Sequence, residues 1–300
     1  MDTLTVSHVK KSFGSQEIIR DLSFRVPEHS VFGFIGENGA GKTTTMKMIL
    51  GLLRMDGGEI LVEGEAVCYG QTRTNRYVGY LPDVPEYYGF MTPREYLRLC
   101  AEVSGITRKE ADKRADELLE MVGLTKADKR IHGFSRGMKQ RLGIAQALLG
   151  KPKLLICDEP TSALDPLGRK EILDILSAVR ESTTVLFSTH ILSDVERICD
   201  QIALLHHGEI ALQGTMDDIH AMHKGAGFEI EFHRKEDLEA FSGYFSGGVP
   251  AGNMQLDFPD CDRRDMLRAL HTLAERDIPI QRIEQKEPSL EALFMEVIGK

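Results

Sequence analysis

A chain of 300 residues, 42% hydrophobic and 28% charged, has the material of an ordinary globular protein of about two domains. Its 37 Lys and Arg against 46 Asp and Glu give a net charge of −9, which argues against a broad cationic surface for nucleic acid or anionic lipid and leaves room only for a local basic patch. Five scattered cysteines (Cys68, Cys100, Cys157, Cys199, Cys261) without a CxxC pair, an opening MDTLTVSHVKKSFG without a basic-then-apolar leader, and no uncharged apolar run of about 18 residues predict a cytoplasmic chain with no disulfide framework, zinc site, signal peptide or membrane span.

Strand-like runs at 4–9, 21–26 and 31–35 precede a glycine-rich turn and a helical stretch at 43–52. That turn, Gly36-Glu37-Asn38-Gly39-Ala40-Gly41-Lys42-Thr43-Thr44, fits GxxxxGK[ST] between a buried strand and a helix. Glycines there let backbone amides turn inward, so N–H groups and the helix N-terminus face a polyphosphate. Lys42 is placed to reach the β and γ phosphates, and the Thr43 hydroxyl to ligate Mg²⁺. The expected ligand is a nucleoside triphosphate.

From about 85 to 149 the pattern turns helical, with Pro93 at a helix start and a charged segment, 107–117, that reads as a solvated helix face. Strand character returns at 154–157, 183–188 and 202–205 with helices between, which predicts βαβ units and a mostly parallel sheet. The first of these runs ends in Asp158-Glu159. A strand-end carboxylate at 158 suits a hard cation, and Glu159 would face the γ-phosphate as general base for an attacking water. His190 ends the next run, at the strand edge where α/β sheets bind ligands, while His206 and His207 read as turn residues.

Composition changes near 221–227, where Lys224-Gly225-Ala226-Gly227 reads as a linker. Beyond it, strands at 228–232, 254–258 and 278–284 alternate with helices at 235–245, 263–276 and 288–298, suiting a small α/β sandwich. The expected fold is therefore α/β: a P-loop NTPase core with a mostly parallel sheet at 1–220, an inserted helical subdomain at about 84–149, and a small C-terminal α/β domain at 221–300. Ten Lys and Arg against fifteen Asp and Glu in 221–300 put more than half of the acidic excess there.

The segment Gly133-Phe134-Ser135-Arg136-Gly137-Met138-Lys139-Gln140 resembles the signature loop of ABC-transporter ATP-binding subunits, usually Leu-Ser-Gly-Gly-Gln. Ser162-Ala163-Leu164-Asp165 resembles the family's D-loop, His190 falls on its switch histidine, and Phe13 sits where an aromatic stacks on adenine. The resemblance implies an ATP-binding, ATP-hydrolysing subunit with Mg²⁺ that powers a separate integral membrane permease. It also implies a second copy, forming a homodimer in which residues 135–140 and Asp165 face the γ-phosphate held by the other subunit. Such a chain would lie on the inner face of the membrane through its permease, with no nucleic acid partner. The physics agrees with a second anion site, since Ser135 and Gly137 precede a helix N-terminus.

The tail, Pro288-Ser289-Leu290-Glu291-Ala292-Leu293-Phe294, resembles the C-terminal element of the drug-, bacitracin- and multidrug-exporter branch, which implies export. It also reads as a plain amphipathic helix capped at 288–289, with Leu290, Leu293 and Phe294 in a core. Two residues depart from the family pattern. Arg136 replaces a usual glycine, and Asp83, in Gly79-Tyr80-Leu81-Pro82-Asp83, replaces the Q-loop glutamine. Aspartate is shorter, charged and no donor, yet within reach of Mg²⁺ or the water, so it is a candidate catalytic and metal residue. The helical region following Asp83, including 84–91, is where the family docks a permease helix; Tyr87, Tyr88 and Phe90 are candidate contacts or core aromatics. The rival readings are a soluble ABC ATPase acting on nucleic acid or ribosomes, and an ATP-binding switch with little hydrolysis.

Overall fold

Alternating apolar and polar residues make β1 (Asp2–Phe13) and β2 (Gln16–Pro27) a long antiparallel hairpin with Leu4, Val6, Phe24 and Val26 on its buried face. The computed structural model describes residues 1–125, 129–222, 227–259, 261–286 and 290–298. β3 (Val31–Gly36), buried at every position, leads through the glycine loop into α1 (Lys42–Ile49). β4 (Gly57–Val62), β5 (Glu65–Ala66) and β6 (Val78–Leu81) follow, then α2 (Pro93–Val103), α3 (Arg108–Met121) and α4 (Arg136–Ala147). The unit closes with β7 (Leu154–Asp158), α5 (Pro166–Val179), β8 (Thr184–Thr189), α6 (Leu192–Ile198), β9 (Gln201–His206) and β10 (Glu209–Thr215).

These strands form one ten-stranded sheet in the order β5-β4-β1-β2-β10-β9-β3-β8-β7-β6. Strands β9, β3, β8, β7 and β6 are parallel, so the loops that follow β3, β7 and β8 share one edge. Apolar residues run almost unbroken through β3, β7 and β8, as strands covered on both faces require. The expectation of a mostly parallel sheet describes this half only. The other half, β5-β4-β1-β2, is antiparallel; the two-residue turns at 14–15 and 63–64 leave no room for a crossover between β1 and β2 or between β4 and β5. β10 joins the halves, antiparallel to β9 and parallel to β2 through the single pair Glu209 and Asp21.

Helices α2 to α4 form the inserted helical region. Pro93 occupies the first position of α2, and Thr92 and Glu95 exchange bonds as a capping box. Residues 84–91, expected to be helical, are not. Pro85 drives residue 84 away from helical backbone, and the segment instead bonds sideways, with His132 N–H donating to Gly89 O (3.0 Å) and Ile131 N–H to Met91 O (2.9 Å).

The chain divides into two compact units, Met1–Met216 and Asp217–Lys300. The second begins within α7 (Met216–Met222) and continues as β11 (Phe228–Phe232), α8 (Lys235–Ser242), β12 (Val249–Pro250), β13 (Gln255–Phe258), α9 (Arg263–Glu275), β14 (Ile280–Gln285) and α10 (Leu290–Ile298). Its sheet, β12-β13-β11-β14, is antiparallel throughout. Phe228, Phe232, Phe241 and Phe258 make its core, with Phe228 and Phe258 stacked at 4.6 Å. The expected linker at 224–226 and helix cap at 288–289 lie outside the described residues; Leu290 and Leu293 are buried and Phe294 is half-buried.

Candidate nucleotide-binding site

The loop between β3 and α1 takes its shape from glycine. Gly39 and Gly41 have φ of +88° and +112°, left-handed values that an L side chain resists. A Cβ on Gly41 would also stand 2.6 Å from Ile19 Cδ1, so the cradle tolerates no larger residue there. Gly41 caps α1 without a side-chain bond, which leaves first-turn amides open to an anion. Lys42, only 6% exposed, spans the loop from inside: its ammonium donates to the carbonyls of Gly36 (2.6 Å) and Glu37 (3.1 Å).

At the end of β7 the Asp158 carboxylate is 3% exposed and fully engaged. Oδ1 accepts from Ser188 Oγ (2.7 Å) and Oδ2 accepts from Thr43 Oγ1 (2.8 Å). Glu159 follows in left-handed backbone, φ +48°, anchored by its N–H to Ser188 Oγ (3.0 Å). Its Oε2 lies 2.9 Å from His190 Nδ1, and its Oε1 lies 3.2 Å from Lys42 Nζ with no hydrogen-bond partner of its own. On β6, the Tyr80 phenol is pushed up to about 12, first by burial and then by the Asp158 charge.

Phe13, residues 37–39 and 41–44, Asp83, Asp158 and Glu159 border one cleft of about 300 Å³, together with Ile18. Gly36 supplies a carbonyl to Lys42 from below, and Ala40 borders a neighbouring hollow with His206 and His207. Phe13 is half exposed, with the Lys11 ammonium 5.2 Å from its ring centre. A larger hollow of about 900 Å³ lies between the helical region and the sheet edge, beside Gly79, Cys100, Arg114 and Gln146. It borders none of the phosphate-loop or acidic residues, so size is the wrong guide to the chemistry.

The signature residues lie elsewhere in the chain and do not border the cleft. Ser135 caps α4, accepting from Met138 N–H (3.2 Å), and residues 136–140 are the helix's first turns. Gln140 is fully buried and donates to Asp83 O (2.7 Å), and Lys139 O accepts from the Tyr87 hydroxyl (2.6 Å). Burial pushes the Tyr87 phenol well up, so it stays a donor. Asp165 caps α5 by accepting from Gly168 N–H (2.8 Å). The expected nucleotide contacts thus fall in two places, joined where Arg136 donates to Asp83 Oδ1 (3.0 Å).

Ser188 escaped the sequence reading. It holds Asp158 and Glu159 at once, and its only local signal is a hydroxyl inside the apolar run of β8. The Thr43 hydroxyl, Asp158 and Asp83 offer oxygen donors, the set a hard divalent cation prefers. Among the described residues no three His, Cys, Asp or Glu side chains converge to hold a metal.

Parallel strands that deliver a glycine-rich loop with its lysine, a strand-end aspartate and a glutamate–histidine pair to one edge are the arrangement of a P-loop nucleoside triphosphatase. Known proteins narrow the class. A family model described as ABC transporter matches residues 19–162. The ABC transporter ATP-binding protein YxlF of Bacillus subtilis (strain 168) is 39% identical over 299 residues, 98% of this chain and 99% of the relative. The bacitracin transport ATP-binding protein BcrA of Bacillus licheniformis is 34% identical over 308 residues, 99% of this chain and 97% of the relative. A solved structure described as the ATP binding subunit of an ABC transporter is 35% identical with a TM-score of 0.66, over 73% of this chain and 92% of that one. The chain belongs to the ATP-binding proteins of ABC transporters, a family of ATPases.

Proposed function

We propose that the chain is the ATP-hydrolysing subunit of an ABC exporter, acting as one of two copies on a separate membrane permease. The observation that carries hydrolysis is Glu159, whose carboxylate is held between Lys42 and His190 in the cleft that contains the phosphate loop. In this reading the amides of 39–42 and Lys42 bind the β and γ phosphates, and Phe13 flanks the adenine. Thr43 and Asp158, with Asp83 beside them, hold Mg²⁺, which when bound neutralises phosphate charge. Glu159 takes the proton of the attacking water, and His190 holds the Glu159 carboxylate in position. Residues 135–140 and Asp165, outside the cleft of their own chain, serve the nucleotide held by the second copy.

Among the described residues no helix is long and apolar enough to cross a membrane, and in this reading the transport path belongs to another chain. Val84, Tyr88 and Phe90 are more than half exposed beside the helical region and form the surface we assign to the permease, while Tyr87 faces α4 and is excluded from it. Export rests on BcrA, whose match extends over both units of this chain, and on the tail pattern at 288–294.

The test is turnover of purified chain with MgATP, alone and with its permease. Glu159→Gln should retain ATP binding and lose turnover by roughly 100-fold or more, the scale of a removed general base. Undiminished turnover in that variant overturns the assignment of Glu159, and no turnover in the parent chain favours the ATP-binding switch.

A further inference from the structure

Asp83 and Arg136, two of the residues that depart from the family's usual pattern, are 53 positions apart and meet in the folded chain. Each is costly alone. A carboxylate at 83 borders the cleft that already contains Asp158 and Glu159, and a triphosphate adds further negative charge. A guanidinium at the first position of α4 stands at the positive end of the helix dipole. Paired at 3.0 Å, each charge answers the other. The same stretch is fastened to α4 twice more, by Gln140 to Asp83 O (2.7 Å) and by Tyr87 to Lys139 O (2.6 Å). Those two bonds are buried or part-buried; the ion pair, with side chains 41% and 46% exposed, is the fastening that solvent and ligand can reach.

We propose that Arg136 is a positioning residue for Asp83. Arg136 holds the Asp83 carboxylate on the signature helix. Nucleotide then exchanges the partners: Asp83 turns to the metal side of the cleft, and Arg136 turns to phosphate, which a guanidinium binds in a two-pronged geometry. An exposed ion pair suits this role because it is weak enough to be broken by a stronger charge. The exchange rests on the reading of two copies closing over nucleotide, whereas the resting pair does not.

A double-mutant cycle on the full chain tests both parts, using Arg136→Gln, Asp83→Gln and the double variant, with Arg136→Lys as the conservative control. Arg136→Gln keeps a good helix former at the start of α4, so loss of folding does not confuse the result. In nucleotide-free protein, hydrogen exchange over 82–91 should rise about two- to fivefold in Arg136→Gln and little in Arg136→Lys. In turnover, the Mg²⁺ concentration for half-maximal rate should shift about tenfold in Arg136→Gln and return to within about threefold of the parent in the double variant. Unchanged exchange over 82–91 overturns the resting pair. Raised exchange with strictly additive Mg²⁺ shifts overturns the exchange of partners. A parent chain without turnover removes the ATPase reading alone, since the exchange measurement needs no nucleotide.

Discussion

Glu159 keeps a backbone conformation that costs a non-glycine residue about 1–3 kcal/mol, and Ser188 is what keeps it there. The Ser188 hydroxyl donates to Asp158 and accepts from the Glu159 amide, so one side chain sets the angle between Asp158 and the residue we propose as the base. Ser188→Ala leaves both groups short of a partner in a buried site. It should cost about 1–3 kcal/mol in equilibrium denaturation and lower kcat at least tenfold, with KM for ATP within about threefold. Equal losses in kcat and ATP affinity would contradict that role. At this scale the sequence was legible wherever chemistry is contiguous: 36–44 and 158–159 are local patterns with a strand before them. Ser188 was not, because a hydroxyl in a buried strand is recognisable only with its partners in view. The Asp83–Arg136 pair was invisible for the same reason: each residue read as an isolated departure, and only folding brings them together.

Among elements, the strands and helices that carry the site follow from uninterrupted apolar runs and capping residues. β3, β7, β8 and β9 were readable to within a residue or two, and Pro93 marked the start of α2. β4, β6 and β10 were passed over because glycines and partly exposed positions break their patterns. Residues 84–91 differ in the other direction: Gly89 weakens the helix their spacing suits, and the carbonyls of Gly89 and Met91 accept instead from His132 and Ile131 N–H. α2 offers the check on helix starts. Thr92→Ala removes the acceptor for Glu95 N–H (3.3 Å) and should destabilise the first unit by about 1 kcal/mol in a denaturant titration. A change below about 0.3 kcal/mol would show that packing of α2, not its cap, holds the helical region.

For the molecule as a whole, two units with separate cores divide the labour. Every residue we assign to nucleotide lies in the first, so damage confined to the second should leave ATP binding intact. Phe258, fully buried and stacked on Phe228, is the place to inflict it. Phe258→Ala should destabilise the second unit by about 3–5 kcal/mol with ATP affinity unchanged. A parallel loss of ATP affinity would show that the units act as one. The composition change near 221–227 lies a few residues beyond the boundary between the two units. What composition could not supply is the antiparallel half of the large sheet, where β1 turns into β2 through two residues and β1 pairs with the distant β4. In the function we propose, cleft and signature helix complete one another only across two copies. Sedimentation of the Glu159→Gln chain with and without MgATP measures it directly. The expected result is a species of twice 33.6 kDa with ATP and a single chain without it. A chain that binds ATP and still sediments as a monomer would contradict the account.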